Sequence, residues 1–214
     1  MENKSFMYLK ILFEQRIELI PCRTAIEAAF NMLKTCFRNG DKLLICGNGG
    51  SAADSEHIVG ELMKGFRNRR PVPKAQVSRL RSLYGTEGER IGLKLQGALP
   101  AISLVSHISL FTAITNDISA DMVFAQQVFG YGRKGDALIA ISTSGNSPNV
   151  INAVKVARAL ELKTIALTGQ GGMLSEIAEI SIDVPGEETA RIQELHMAVY
   201  HALCAALEAE LFSG

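Results

Sequence analysis

Residues 41–61 read DKLLICGNGGSAADSEHIVGE, and this stretch decides the fold. Lys42–Cys46 is a short apolar run with the length and composition of a buried strand. Gly47-Asn48-Gly49-Gly50-Ser51 is a tight loop, and a helix is expected from about Ala52. A strand that enters a helix through a glycine loop leaves the first helical N–H groups without partners. Those N–H groups and the helix dipole favour an anion. At about 100° per residue, Asp54, His57 and Glu61 project onto one narrow arc of the helix, while Ile58, Val59, Leu62 and Met63 occupy the adjacent arc and face a core. A His–Glu pair four residues apart is by itself surface support worth a few tenths of a kcal/mol. Its place beside an anion-ready loop gives it a second reading, as a pair that handles a proton or a metal.

Working outward, the same strand–loop–helix pattern recurs. Asp136–Ile141 is a buried strand, followed by Ser142-Thr143-Ser144-Gly145-Asn146-Ser147 and a helix opened by Pro148. Ser147 as N-cap with Pro148 in the first helical position is the favoured order at a helix start. One hydroxyl suffices for a cap, so the remaining three point to a phosphate held by hydrogen bonds. Further strands are expected at Leu99–Val105, Lys163–Thr168 and Ile180–Val184. Five strands alternating with helices give an α/β, doubly wound parallel sheet, in which ligands bind beyond the strand C-termini. Both polar loops stand at such ends. GNGGSA is not G-x-G-x-x-G and no G-x-x-x-x-G-K-[ST] is present, which excludes the usual dinucleotide and nucleoside-triphosphate loops.

Two helices precede the first strand, Asn3–Leu19 interrupted by Pro21 and Arg23–Phe37 stopped at Asn39-Gly40; they are expected to cover the domain or to build an oligomer interface. Lys64–Pro73 is a basic, proline-broken stretch expected to be a solvated loop. Residues 74–98 read as one or two short helices around Tyr84-Gly85, and a long C-terminal helix runs from about Thr189 to Leu211. On that helix His196 and His201 lie about 140° apart with Gln193 between them. One site can use Gln193 with either histidine but hardly with both, and His196 is expected to be exposed or capping. Gln193 and His201 are separated by about 12 Å of helical rise, so one ion could take both only if the helix bends or a second subunit contributes.

The 214 residues suit one domain. Basic and acidic residues balance at 22 each, so no overall field draws nucleic acid or anionic membrane. No apolar run spans a membrane and MENKSFMYLK lacks a signal-peptide core, so a cytoplasmic protein is expected. Four scattered cysteines without a C-x-x-C pair read as reduced, packed thiols.

Four segments together, CGNGGSAADSEHIVGEL, ISTSGNSPNV, LTGQGGMLSE and ARIQELH with a following His201, resemble the sugar-isomerase (SIS) domain family and within it the phosphoheptose isomerases. The resemblance covers residues 25–210 and implies a single SIS domain over 1–214, with 1–40 as N-terminal helices and a stretch near 74–98 that typical members lack. It implies isomerisation of sedoheptulose 7-phosphate to glycero-manno-heptose 7-phosphate through an enediol, with Glu61 and His201 as catalytic groups. It implies one Zn2+ per subunit held by His57, Glu61, Gln193 and His201. Substrate contacts are implied at Asn48, Gly49, Gly50, Ser51, Glu61, Asn116, Asp117, Ser142, Thr143, Ser144, Ser147 and Gln193. The assembly implied is a homotetramer with sites near subunit boundaries. Replication-initiator-associating SIS proteins, which bind a protein, tend to lose the ligands at the Glu61 and His201 positions; this chain keeps both. The added stretch leaves another phosphosugar, as substrate or sensed ligand, as the alternative.

Overall fold

The computed structural model of the chain describes residues 4–212. Its strands are β1 (Leu43–Gly47), β2 (Ala101–Ser103), β3 (Ala137–Ser142), β4 (Lys163–Gly169) and β5 (Ile180–Val184), all parallel, in the order β2-β1-β3-β4-β5. Leu43, Ile45, Ile139, Ile141, Ile165 and Leu167 turn to one face of the sheet, and Leu44, Cys46, Leu138, Ala140 and Ala166 to the other. Burial on both sides is why the strands read as continuous apolar runs rather than alternating ones.

The first face is covered by α2 (Arg23–Arg38), α3 (Gly50–Met63) and α9 (Thr189–Phe212), with α1 (Lys4–Gln15) packed on α9. The second face is covered by α5 (Ile108–Asp117), α6 (Val123–Tyr131), α7 (Pro148–Ala159) and the short α8 (Met173–Ile177). From β1 the chain moves to the β2 edge, whereas β3 lies on the other side of β1 and leads to β4 and β5. The crevice at such a reversal of strand order is where doubly wound sheets bind ligands. Here it lies between the ends of β1 and β3, so the glycine loop and the serine loop are its two walls.

Several boundaries differ from the sequence reading. The first helix stops at Gln15, and Ile17–Cys22 is a 3-10 turn that contains Pro21, whose missing N–H is tolerated in so short a turn. β2 is three residues long, because only Ala101–Ser103 pairs with β1. α3 begins at Gly50, two residues before the expected start. The two N-terminal helices do cover the domain: Leu9, Leu12, Phe13, Ile26, Phe30 and Leu33 are all in the core.

The basic stretch 64–73 is not simply a solvated loop. Arg70 is fully buried, and its Nε lies 2.7 Å from Glu208 Oε1 of α9. Glu208 also accepts the backbone N–H groups of Phe66, Arg67 and Asn68, at 2.8, 2.9 and 3.0 Å. Arg70 in turn donates to the carbonyls of Leu62 and Glu61 and lies over the Phe212 ring. A buried charge is costly unless paired and hydrogen-bonded, and here both partners are. Beyond this clamp, α4 (Lys74–Lys94) is two helical arms folded at Gly85, where φ is 62° and ψ is −140°. The arms approach so closely that a Cβ at Gly88 would stand 2.0 Å from the Leu80 carbonyl oxygen. The hairpin is tied at its base by Gly97 N–H to Arg70 C=O and Gly65 N–H to Gln96 Oε1.

Candidate functional site

β1 ends at Gly47, and Asn48 and Gly49 carry the chain into α3. Asn48 and Asn149, at the start of α7, exchange two amide hydrogen bonds of 2.9 Å. This reciprocal pair ties the glycine loop to the helix that the serine loop opens, so both loops belong to one wall system. Ser51 is buried against the loop, its N–H donating to Asn48 C=O. Gly50 leaves room for what lies over it: a Cβ there would stand 2.4 Å from Gln193 Nε2, the movable end of that side chain. Gln193 of α9 therefore rests on the first turn of α3.

In the serine loop the Ser142 and Ser147 hydroxyls are 2.9 Å apart, and Ser147 makes no side-chain cap on α7. Ser144 Oγ accepts the Asn146 N–H at 3.2 Å. The Thr143 carbonyl takes the Gly169 N–H, and the Gly145 carbonyl takes the Leu174 N–H. Gly145, at φ 65°, leaves no room for a side chain, since a Cβ would stand 2.7 Å from the Gly171 carbonyl oxygen. The loop is thus pinned by the 169–174 segment that follows β4. Asn116 and Asp117 are exposed at the end of α5 and bond to each other at 2.8 Å, not to either loop. An open cleft of about 220 Å3 lies between the glycine loop and α5, lined by Asn48, Gly49, Ile108 and Phe111 among others.

Further along α3 a second cluster forms. His57 Nε2 is 3.1 Å from Glu61 Oε1 and 3.4 Å from His201 Nε2. On the opposite edge of the ring, His57 Nδ1 is 3.1 Å from the Tyr200 hydroxyl, which donates to Asp54 Oδ1 at 3.1 Å. Burial, and then the nearby His57, push the His201 imidazole below its ordinary pKa. Burial also raises the Asp54 carboxyl, against the opposing effects of Tyr200 and His57. The Tyr200 phenol is held well above its usual range, by burial first and by Asp54 second. Phe66, fixed by the Glu208 clamp, stacks beside the His201 ring at 5.6 Å.

The donor set of this cluster suits zinc, which takes imidazole nitrogen and carboxylate oxygen. Ligand atoms around a tetrahedral ion with bonds of about 2.0–2.1 Å stand about 3.3 Å apart, close to the two separations seen at His57. Among the described residues, however, no three histidine, cysteine or acidic side chains already surround a common ion position. Glu61 and His201 are instead each within hydrogen-bonding reach of His57 Nε2. Gln193 lies away from them, against Gly50, about 10 Å of helical rise from His57. A single chain therefore brings together His57, Glu61 and His201 and, separately, Gln193 with the glycine loop.

His196 is neither exposed nor capping. It is completely buried, neither ring nitrogen makes a well-formed hydrogen bond, and burial lowers its pKa to about 4 against a weaker opposing pull from the Thr168 backbone, so it is a neutral core histidine. The sequence reading also passed over Asn149, Tyr200 and Glu208. Tyr200 left a detectable trace, since a tyrosine on an apolar helix needs a partner for its O–H. Asn149 and Glu208 left none, because their partners are 101 and 142 residues away.

The SIS domain family profile matches residues 21–92 and 94–169. The chain is 43% identical over 187 residues to the phosphoheptose isomerase of Aliarcobacter butzleri, covering 87% of this chain and 85% of that protein. It is 36% identical to that of Rhodospirillum rubrum over 214 residues, the full length of both. Among solved structures it is similar to the phosphoheptose isomerase of Neisseria gonorrhoeae, with a TM-score of 0.70 and 34% identity over 95% of this chain and 92% of that one. The Francisella tularensis phosphoheptose isomerase superposes with a TM-score of 0.72 at 31% identity, covering 94% and 95%. A matching parallel sheet, anion-ready loops at its switch point and relatives of this identity over most of the chain lead to one assignment: the chain belongs to the phosphoheptose isomerase family of SIS-domain proteins and is a phosphosugar isomerase.

Proposed function

We propose that the chain interconverts sedoheptulose 7-phosphate and glycero-manno-heptose 7-phosphate. The observation that carries this reading is the separation of two chemistries along α3. Hydroxyls and helix N-termini suited to a phosphate stand at its start. Groups able to move protons stand about 10 Å further on, at His57, Glu61 and His201. A phosphate-terminated seven-carbon sugar is of a length to be held at one end and to react at the other.

In this reading Ser142, Thr143, Ser144 and Ser147 hold the phosphate, and Asn48, Gly49, Gly50, Ser51 and Gln193 line the sugar path, with Asn116 and Asp117 closing it. The Glu61 carboxylate takes the proton from C1 of the ketose and returns it to C2 of the resulting enediol, which yields the aldose. His201, kept largely neutral by its surroundings, shuttles the hydroxyl proton between the two oxygens. Zn2+, one per subunit, would be held by His57, Glu61, His201 and Gln193 and would supply Lewis-acid polarisation of the sugar oxygens. The distance between Gln193 and the other three supports a homotetramer in which neighbouring copies complete each site. So do the exposed Phe6, Met7, Ile17 and Ile20 at the N-terminal helices. Among the described residues no helix is long and apolar enough to cross a membrane. The four buried free thiols support a reducing cytoplasm.

The test is turnover of sedoheptulose 7-phosphate to the aldose by the wild type and by Glu61→Gln. The variant is expected to lose ~10²-fold or more in kcat. Near-normal turnover in the variant would remove Glu61 as base. A wild type inactive on this ketose but active on another phosphosugar would overturn the substrate.

A further inference from the structure

The Tyr200 hydroxyl is the meeting point of two helices. It lies 3.1 Å from Asp54 Oδ1 and 3.1 Å from His57 Nδ1, and both Tyr200 and Asp54 are buried. The second Asp54 oxygen has no partner at all, so the carboxylate is committed to Tyr200. Burying a carboxylate with so few partners is costly, and a phenylalanine at position 200 would fill the same space without needing it.

Counting protons shows what the arrangement does. A phenol has one proton, and Tyr200 gives it to Asp54. Its oxygen can then serve His57 only as an acceptor, so His57 carries its hydrogen on Nδ1. That leaves Nε2, which faces Glu61 Oε1 and His201 Nε2, to share a proton with Glu61 when no ion is bound and to offer its lone pair when an ion replaces that proton. We propose that Asp54 and Tyr200 are positioning residues that hold His57 as its Nδ1–H tautomer and aim the Nε2 lone pair at the metal position shared with Glu61 and His201. This role rests on the zinc reading above, and it adds two residues that would not touch the ion. Outer partners of this kind fix ring orientation and raise ligand basicity, and their loss costs about 10–100-fold in metal affinity.

Two readouts test it. The first uses metal-free protein labelled with 15N-histidine above pH 7, in which long-range 1H–15N correlations report each tautomer. The chain has four histidines, and His57→Gln assigns the signal. The wild type is expected to show Nδ1–H at His57. In Asp54→Asn the carboxamide donates to the tyrosine oxygen, the phenol turns its proton toward His57, and the tautomer is expected to switch to Nε2–H. The second readout is Zn2+ affinity by chelator competition, expected to fall ~10–100-fold in Tyr200→Phe and in Asp54→Asn. A wild-type His57 whose Nδ1 carries no hydrogen overturns the proposal whether or not either variant folds. Unchanged zinc affinity in folded variants overturns it too. A tautomer that switches as expected in a protein that binds no zinc would sustain the positioning role and overturn the metal reading instead.

Discussion

Glu208→Gln is nearly isosteric, yet it should be among the most damaging substitutions available in this chain. Oε1 accepts from Phe66 N–H and Arg70 Nε, and Oε2 accepts from the N–H groups of Arg67 and Asn68 and from Asn68 Nδ2. A glutamine must place its NH2 on one side or the other. Either way at least two donors face a donor, and the Arg70 guanidinium is left buried without a counter-charge. Removing one partner of a buried ion pair costs about 3–5 kcal/mol. With the N–H bonds to Glu208 only part-buried, about 4 kcal/mol, the middle of that range, is the expected loss. For a chain of this size that is a fall in Tm of about 8–16 °C.

The measurement is urea and thermal denaturation of wild type, Glu208→Gln, Arg70→Met and the double variant. The double variant removes the stranded charge but still leaves at least one backbone N–H of the 66–68 loop facing the glutamine NH2, so it should recover part of the loss and no more. Activity should fall with Glu208→Gln even where the protein remains folded, because the loop carries Phe66 against His201. Burial works against the carboxylate, but the N–H donors and Arg70 prevail and hold its pKa below the ordinary 4.5. Its stabilisation is therefore present above that value and lost as pH falls through the folded one. A loss under about 1 kcal/mol, within the range of an exposed pair, would refute the clamp as what orders residues 64–70.

Two further outcomes follow from other sites. His196 titrates at about 4 in the folded chain against an ordinary 6.5, so between those values the unfolded chain binds a proton that the folded chain refuses. Stability should rise with pH across that window by about 3 kcal/mol, and His196→Leu should flatten the rise; an unaltered slope would show that another group is responsible. Gly50→Ala should leave the Tm nearly unchanged, since the new Cβ meets only the flexible end of Gln193. It should lower kcat/KM by roughly tenfold or more by moving that carboxamide off the glycine loop; a fully active variant would show that Gln193 has no role there.

The sheet was legible in the sequence because its strands are buried on both faces and each is closed by glycine, serine or a helix start. The two loops were legible for the same reason, as local patterns. What the sequence hid is non-local. Arg70 sits in a run of basic residues, and nothing in KGFRNRRPVP distinguishes it from Arg69, which is exposed; the difference is Glu208, 138 residues away. His196 and His201 differ in the same way. Periodicity gave their angular separation correctly but could not say which side of α9 meets the sheet. Burial of His196 and the His57 contact of His201 answer that.

The pairing of α3 with α9 explains why the proposed ligand set spans two places. Gln193 rests on Gly50, and Tyr200 and His201 meet His57, so eight residues of α9 run beside seven of α3 in the same direction. Two parallel helices in register present their residues as rungs, each rung bringing together one position from each helix. Gln193 with Gly50 is one rung, at the start of α3. Tyr200 and His201 with His57 form another, two turns further along α3. α9 is continuous from Thr189 to Phe212, so no kink brings the rungs together within one chain. The His57 rung also carries its own support, because Asp54 and Tyr200 come from the same two helices that supply the proposed ligands. The α3–α9 contact is thus both part of the core and the frame of the site, which is why substitutions along it should separate into those read by Tm and those read by turnover.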